Sequence, residues 1–206
     1  PPPAEQAGIV RFLGAVDRKV NRFIRAKRRL IEVLTEQKQA IITHAVTKGL
    51  NPHAALKPSG IDWLGDVPEH WEVVRLRNLV SQVTSGSRGW SRYMADTGPL
   101  FIRIGNLTRG SLELDMSDAA RLQLPKDASE VHRTRAQAND ILVSITAYIG
   151  SFAVVPEGIE EAYVSQHVAL CRPRPTVHNA RWVGYVLLSP IGQAHGKFSL
   201  NGGTKD

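Results

Sequence analysis

With one cysteine, Cys171, among 206 residues, the chain cannot form an intramolecular disulfide and lacks the cysteine set of a structural zinc site; this usage suits a reducing compartment. No apolar run approaches the roughly 18 residues of a membrane-spanning helix, and no charged-then-apolar signal region opens the sequence. We therefore expect a cytoplasmic protein without a membrane partner. Catalytic motifs are also missing. Gly192 and Gly196 are separated by three residues rather than four, and Phe198 stands where a phosphate loop needs Ser or Thr after Lys197. Asn51-Pro52-His53 matches only two letters of the Asn-Pro-Pro-aromatic motif of adenine methyltransferases. Glu36-Gln37-Lys38 has nuclease-like spacing, but lies in a helical stretch where such charges form a solvated face. The chain opens on Pro1-Pro2-Pro3 without methionine, and we expect an internal piece of a longer protein.

Proline is absent from Glu5 to Thr47, and this stretch carries a sustained apolar repeat. Ile9, Leu13, Val16, Val20, Phe23, Leu30, Leu34 and Ile41 recur in steps of four and three, with Lys27, Gln37 and His44 interrupting the seam. That is the heptad pattern of a coiled-coil-type helix seeking a partner. Ile24, Ile31 and Ile42 widen the stripe. Lys48 supplies positive charge at the helix end, Gly49 can adopt the left-handed cap, and Pro52 blocks continuation. The net charge is +7, yet residues 1–48 hold ten Lys/Arg against four Asp/Glu. The basic excess, which favours an anionic partner through counterion release, thus belongs mainly to the helix, including its run Arg25, Lys27, Arg28 and Arg29.

Residues 1–50 read as the helix, 51–59 as a linker and 60–206 as a mixed α/β (α+β) domain. Short runs rich in β-branched and aromatic residues predict strands at 72–76, 100–104, 140–146, 151–155 and 162–171, with short helices at 76–81 and 179–189. Tyr148-Ile149-Gly150 and Pro156-Glu157-Gly158 read as turns. Gln166 and His167 fall inside the last strand run and read as part of a buried strand.

Several segments are similar to one family. SGIDWLGDVPEHWEVVRLRNLV at 59–80 resembles the entry to a target-recognition domain of type I restriction-modification DNA-specificity subunits. RRLIEVLTEQKQAIITHAVTKGL at 28–50 resembles their spacer helix, and Pro2-Pro3-Ala4-Glu5-Gln6 its start. FIRIGN at 101–106 and AYVSQHVAL at 162–170 resemble landmarks inside the domain. A complete specificity subunit has two such domains and two helices. This chain has one of each and closes on a loop that resembles one near the end of a recognition domain, so we expect a fragment.

The resemblance implies a non-catalytic reader of double-stranded DNA, with the helix setting target spacing and docking methyltransferase (M) subunits. S-adenosylmethionine, Mg²⁺ and ATP would belong to the M and restriction (R) subunits, and this chain would hold no cofactor. Antiparallel self-association through the helix seam is a further expectation. An assembly module without DNA affinity is the alternative. Because the family reads DNA with this domain, Arg88, Trp90 and Arg92 in a Gly/Ser-rich loop become contact candidates, the rival reading being a surface loop with one anchoring tryptophan. Arg103, Asn106 and Arg109 form a second candidate cluster, since Arg and Asn can bond base edges, although Asn106 could instead make a turn. Tyr148, Lys197 and Lys205 complete the set.

Overall fold

A computed structural model describes residues 1–125, 131–146 and 150–194. The chain divides into two compact units, Pro1–Ile41 and Ile42–Asp206. One helix, α1 (Pro3–Lys48), runs through the first and ends in the second. Pro3 takes the first helical position, where its missing N–H has no intrahelical partner to lose. At 1.5 Å per residue the helix is about 70 Å long. The expected seam is exposed along its whole length, from Ile9 at 45% and Leu13 at 53% to Leu34 at 53% and Ile41 at 61%.

The second unit begins upstream of the expected domain start at 60. Ile42 packs into its core, Thr47 is buried, and Lys48 Nζ donates to the Asp66 carbonyl at 2.7 Å. Gly49 ends the helix at φ +76°, and a β-carbon there would stand 3.4 Å from the ring of Trp71. The stretch 51–59 is correspondingly more than a linker: β1 (Leu56–Pro58) lies in it and pairs antiparallel with β2 (Asp66–Pro68).

Two larger sheets face each other. The first has the order β3 (Val80–Ser85), β9 (Val168–Pro173), β6 (Ile141–Ser144), β7 (Phe152–Val154), with every pairing antiparallel. The second has the order β5 (Ala120–Leu122), β4 (Met94–Ile102), β8 (Ala162–Val164), with β4 and β8 parallel. Side chains alternate between the faces of a strand, and this alternation builds three apolar layers. Leu100, Ile102, Ala162 and Val164 meet Leu142, Ala153, Val168 and Leu170 between the sheets. Ile141, Phe152 and Val154 point the other way, under Ala180, Val183 and Leu188 of helix α4 (Ala180–Leu188). Phe101, Leu122 and Tyr163 form the third layer with Trp90.

Differences from the sequence reading arise from this layering. Residues 72–75 form no strand; helix α2 (Leu76–Leu79) is one turn long and the strand starts at Val80. The run 162–171 is two strands in different sheets, because the chain crosses between the layers at Ser165–His167. Of the expected turns, residues 147–149 lie outside the described residues.

One buried charge is fixed within this core. Asp140 is 1% exposed and accepts from Arg172 Nε at 2.9 Å and Nη2 at 2.8 Å, and from the Gln137 amide at 2.8 Å. The guanidinium also donates to the Arg135 carbonyl at 3.0 Å, tying β9 to the segment before β6. Removing one partner of a buried pair strands the other. Asp140→Ala should lower the unfolding free energy by about 3–5 kcal/mol, measured by urea denaturation; a loss below about 1 kcal/mol would mean that the pair does not hold these segments together.

Candidate nucleic-acid interface

The loop after β3 is positioned by a close backbone approach. A β-carbon at Gly86 would stand 1.9 Å from the Val164 carbonyl oxygen and 2.3 Å from the Ser165 carbonyl carbon, so no other residue fits. This approach lets Ser87 bridge Ser165 in parallel, while the Ser165 amide donates to the Ile102 carbonyl at 2.9 Å. Arg88 comes next, on the surface, and makes no hydrogen bond or ion pair among the described residues.

Trp90 then turns inward. It is 6% exposed, meets Tyr163 edge-on with centroids 5.7 Å apart, and packs with Phe101 and Leu122. The candidate contact is thus a core residue, and the loop with an anchoring tryptophan is the reading that fits. Arg92 is exposed, its guanidinium 4.8 Å from the centre of the Tyr93 ring.

Beside this loop lies a cleft of about 830 Å³ lined by Ser85, Gly86, Ser87, Arg88, Arg133, Ile145, Thr146, Gln166 and His167. Arg133 comes from the short helix α3 (Val131–Thr134), whose position is fixed by Gln82 Nε2 donating to the Arg133 carbonyl at 3.1 Å. Its guanidinium reaches back to Thr84 Oγ1 and the Ser85 carbonyl. Thr146 Oγ1 is 3.2 Å from His167 Nδ1, and Gln166 Nε2 is 3.0 Å from His167 Nε2. Among the described residues the lining therefore holds two arginines, hydroxyls, an amide and an imidazole, and no carboxylate. Such a surface attracts an anion. Gln166 and His167, expected within a buried strand, are half-buried in the crossing between sheets and face this cleft. Arg133 escaped the sequence reading; its only signal is the density of basic residues in His132-Arg133-Thr134-Arg135.

The second candidate cluster resolves differently. Asn106 is 3% exposed; its Oδ1 accepts the Arg103 amide at 2.8 Å and its Nδ2 donates to the Asp115 carbonyl at 2.7 Å. Both ends of the carboxamide hold a turn, which removes Asn106 from the contact surface. Arg103 Nη2 donates to the Asp118 carboxylate at 2.9 Å. Arg109 is exposed on the same loop. Tyr148, Lys197 and Lys205 lie outside the described residues.

Other titratable groups are paired on the surface or buried. Arg121 and Glu160 form a two-pronged pair at 2.8 and 3.0 Å, which lowers the carboxyl and raises the guanidinium from their ordinary values. Burial pushes the Cys171 thiol up to about 11, the reverse of an activated thiolate. Among the described residues no three His, Cys, Asp or Glu side chains are grouped to hold a metal ion, and no helix is long and apolar enough to cross a membrane. On α1 the basic run is exposed, with Lys27 Nζ 5.2 Å from the centre of the Phe23 ring and Arg29 paired to Glu32 at 3.2 Å.

Comparison with known proteins adds the relationship. No protein-family model matches the chain. A stretch of 112 residues, 54% of the chain, is 30% identical to the type I restriction enzyme MjaVIII specificity subunit of Methanocaldococcus jannaschii. The match spans about a quarter of that relative, 24% of its length. Among solved structures, a chain from work on complex assembly and conformational transition of the type I R-M system superposes with a TM-score of 0.51 at 22% identity, covering 92% of this chain and 42% of that one. The HsdS subunit from Thermoanaerobacter tengcongensis gives a TM-score of 0.48 at 21% identity, over 98% of this chain and 51% of that one. The helix followed by a mixed α/β unit is thus a fold shared with a type I R-M structure.

The placement of Trp90 gives a direct test. Trp90→Ala should cost about 3–5 kcal/mol of stability by urea denaturation, whereas Trp90→Phe should retain most of it. Equal stability of the alanine variant would return Trp90 to the set of surface contacts.

Proposed function

Since this chain is related in sequence to type I restriction enzyme specificity subunits and shares the fold of a type I R-M structure, we propose that it is a DNA-specificity element. Its α/β unit reads one half of a bipartite duplex target. The helix sets the distance to a second reader and docks methyltransferase subunits along its exposed seam, with antiparallel self-association using the same face. The chain itself performs no chemistry. S-adenosylmethionine, Mg²⁺ and ATP belong to the methyltransferase and restriction subunits of the assembly, which works in the cytoplasm.

The observation that carries this reading is the kinship with specificity subunits; the cleft bearing Arg88 and Arg133 supports it with a surface of suitable charge. Arg88, Arg92 and Arg109 remain candidates for phosphate or base contacts, because all three are exposed. A second reading, an assembly module without DNA affinity, draws on charge: residues 49–206 carry sixteen Lys/Arg against fifteen Asp/Glu. Generic attraction to a polyanion is therefore weak in the α/β unit, and reading must depend on a few placed groups.

Selection from a randomised duplex library, with and without a methyltransferase subunit from the same genome, separates the two. A reader should enrich one short half-site and keep that preference as salt rises, while non-specific affinity collapses. Enrichment only with the partner would make reading conditional on assembly. Equal retention of all duplexes at every salt would exclude a reader and leave the assembly module.

A further inference from the structure

The cleft beside β3 contains a buried group without a partner. Ser87 is 4% exposed, lines the cleft, and its Oγ has no hydrogen-bond partner; Ser165, which it bridges, is 6% exposed and its Oγ is likewise unpaired. Buried hydroxyls in folded proteins are nearly always satisfied, and an exception points to a water or a ligand. Among the described residues that line the cleft with Ser87, the charged side chains Arg88 and Arg133 are both cationic. Arg88 stands at the cleft without a protein partner among the described residues, and the contacts of Arg133 to Thr84 and Ser85 hold a second guanidinium at the wall.

The imidazole contributes indirectly. With the Gln166 amide donating to His167 Nε2, the ring proton resides on Nδ1 and is donated to Thr146 Oγ1. The Thr146 hydroxyl then accepts from the ring, and its own hydrogen is left to donate elsewhere. Among the described residues no Phe, Tyr or Trp lines the cleft, so these residues offer no stacking platform of the kind that holds an unstacked base. Its volume of about 830 Å³ exceeds that of one phosphate.

We propose that this cleft seats one phosphodiester of the DNA backbone, with Arg88 and Arg133 neutralising the charge and the Ser87 and Thr146 hydroxyls donating to its oxygens. The seat rests on the duplex-reading function proposed above. It would fix the register of the duplex and leave the sequence to be read by other groups, the usual division between phosphate and base contacts.

The test uses the 206-residue chain and its Ser87→Ala and Arg88→Ala variants, with dimethyl phosphate and inorganic phosphate as probes and the selected duplex as ligand. Ser87→Ala removes an unpaired hydroxyl, so its melting temperature without ligand should equal or exceed that of the parent; a Ser87 that merely holds the loop would lower it. Both variants should bind dimethyl phosphate at least about tenfold more weakly. Arg88→Ala should also reduce the slope of log affinity for the duplex against log salt by about one. Unchanged dimethyl phosphate affinity in both variants overturns the seat. If the parent chain binds the duplex selectively and Arg88→Ala leaves the salt slope intact, reading survives and the seat fails. Binding of inorganic phosphate with no retention of dimethyl phosphate or of any duplex makes the cleft a site for a free phosphate compound, which overturns both proposals.

Discussion

The α/β unit depends on one crossing. Between Val164 and Val168 the chain leaves the sheet built on β4 and enters the sheet built on β6, and the apolar layer between those sheets is closed on both sides of the step. At this crossing Gly86 lets a second backbone segment lie against the carbonyls of Val164 and Ser165. A side chain there would force the β3 loop away. The Ser87–Ser165 bridge, the inward turn of Trp90 and the wall carrying Arg88 all depend on that contact.

This constraint also accounts for the siting of the cleft. A chain changing sheets interrupts both hydrogen-bonded ladders, and Ser165, Gln166 and His167 occupy the gap. The side-chain polar groups of Gln166 and His167 find partners in Thr146 and in each other, while the Ser165 hydroxyl has none among the described residues. In the regular strands on either side, alternation sends the side chains into apolar layers. Polar groups therefore collect where regular pairing stops, which is a common reason for binding residues in proteins to lie on loops held by a rigid scaffold.

Charge is divided unequally between the two parts of the chain. The helix holds most of the basic excess, while the α/β unit is close to neutral. In the latter, arginines are frequently engaged by carboxylates: Arg103 by Asp118, Arg121 by Glu160, Arg172 by Asp140 and Arg181 by Glu113. Arg88 stands apart from these pairs. A local excess can thus exist on a unit whose overall charge gives little hint of it.

Periodicity and composition alone determined the helix, its seam, its stop at Gly49 and the α/β character of the chain beyond that glycine, because these depend on neighbours along the chain. Most strand runs near 100–104, 140–146 and 151–155 were legible for the same reason, while the strand expected at 72–76 was not formed. Only tertiary structure decided that Trp90 belongs to a core layer, that Asn106 holds a turn and that 162–171 is two strands. Each of those outcomes turns on partners distant in sequence: Tyr163 for Trp90, Asp115 for Asn106, and Leu100–Ile102 of β4 and Ile141–Ser144 of β6 for the two halves of 162–171. The cleft itself joins residues 85–88, 133, 145–146 and 166–167. Apart from Arg88 and the basic density around Arg133, its members have no local signature as binding groups, because their common property is a shared space created by the fold.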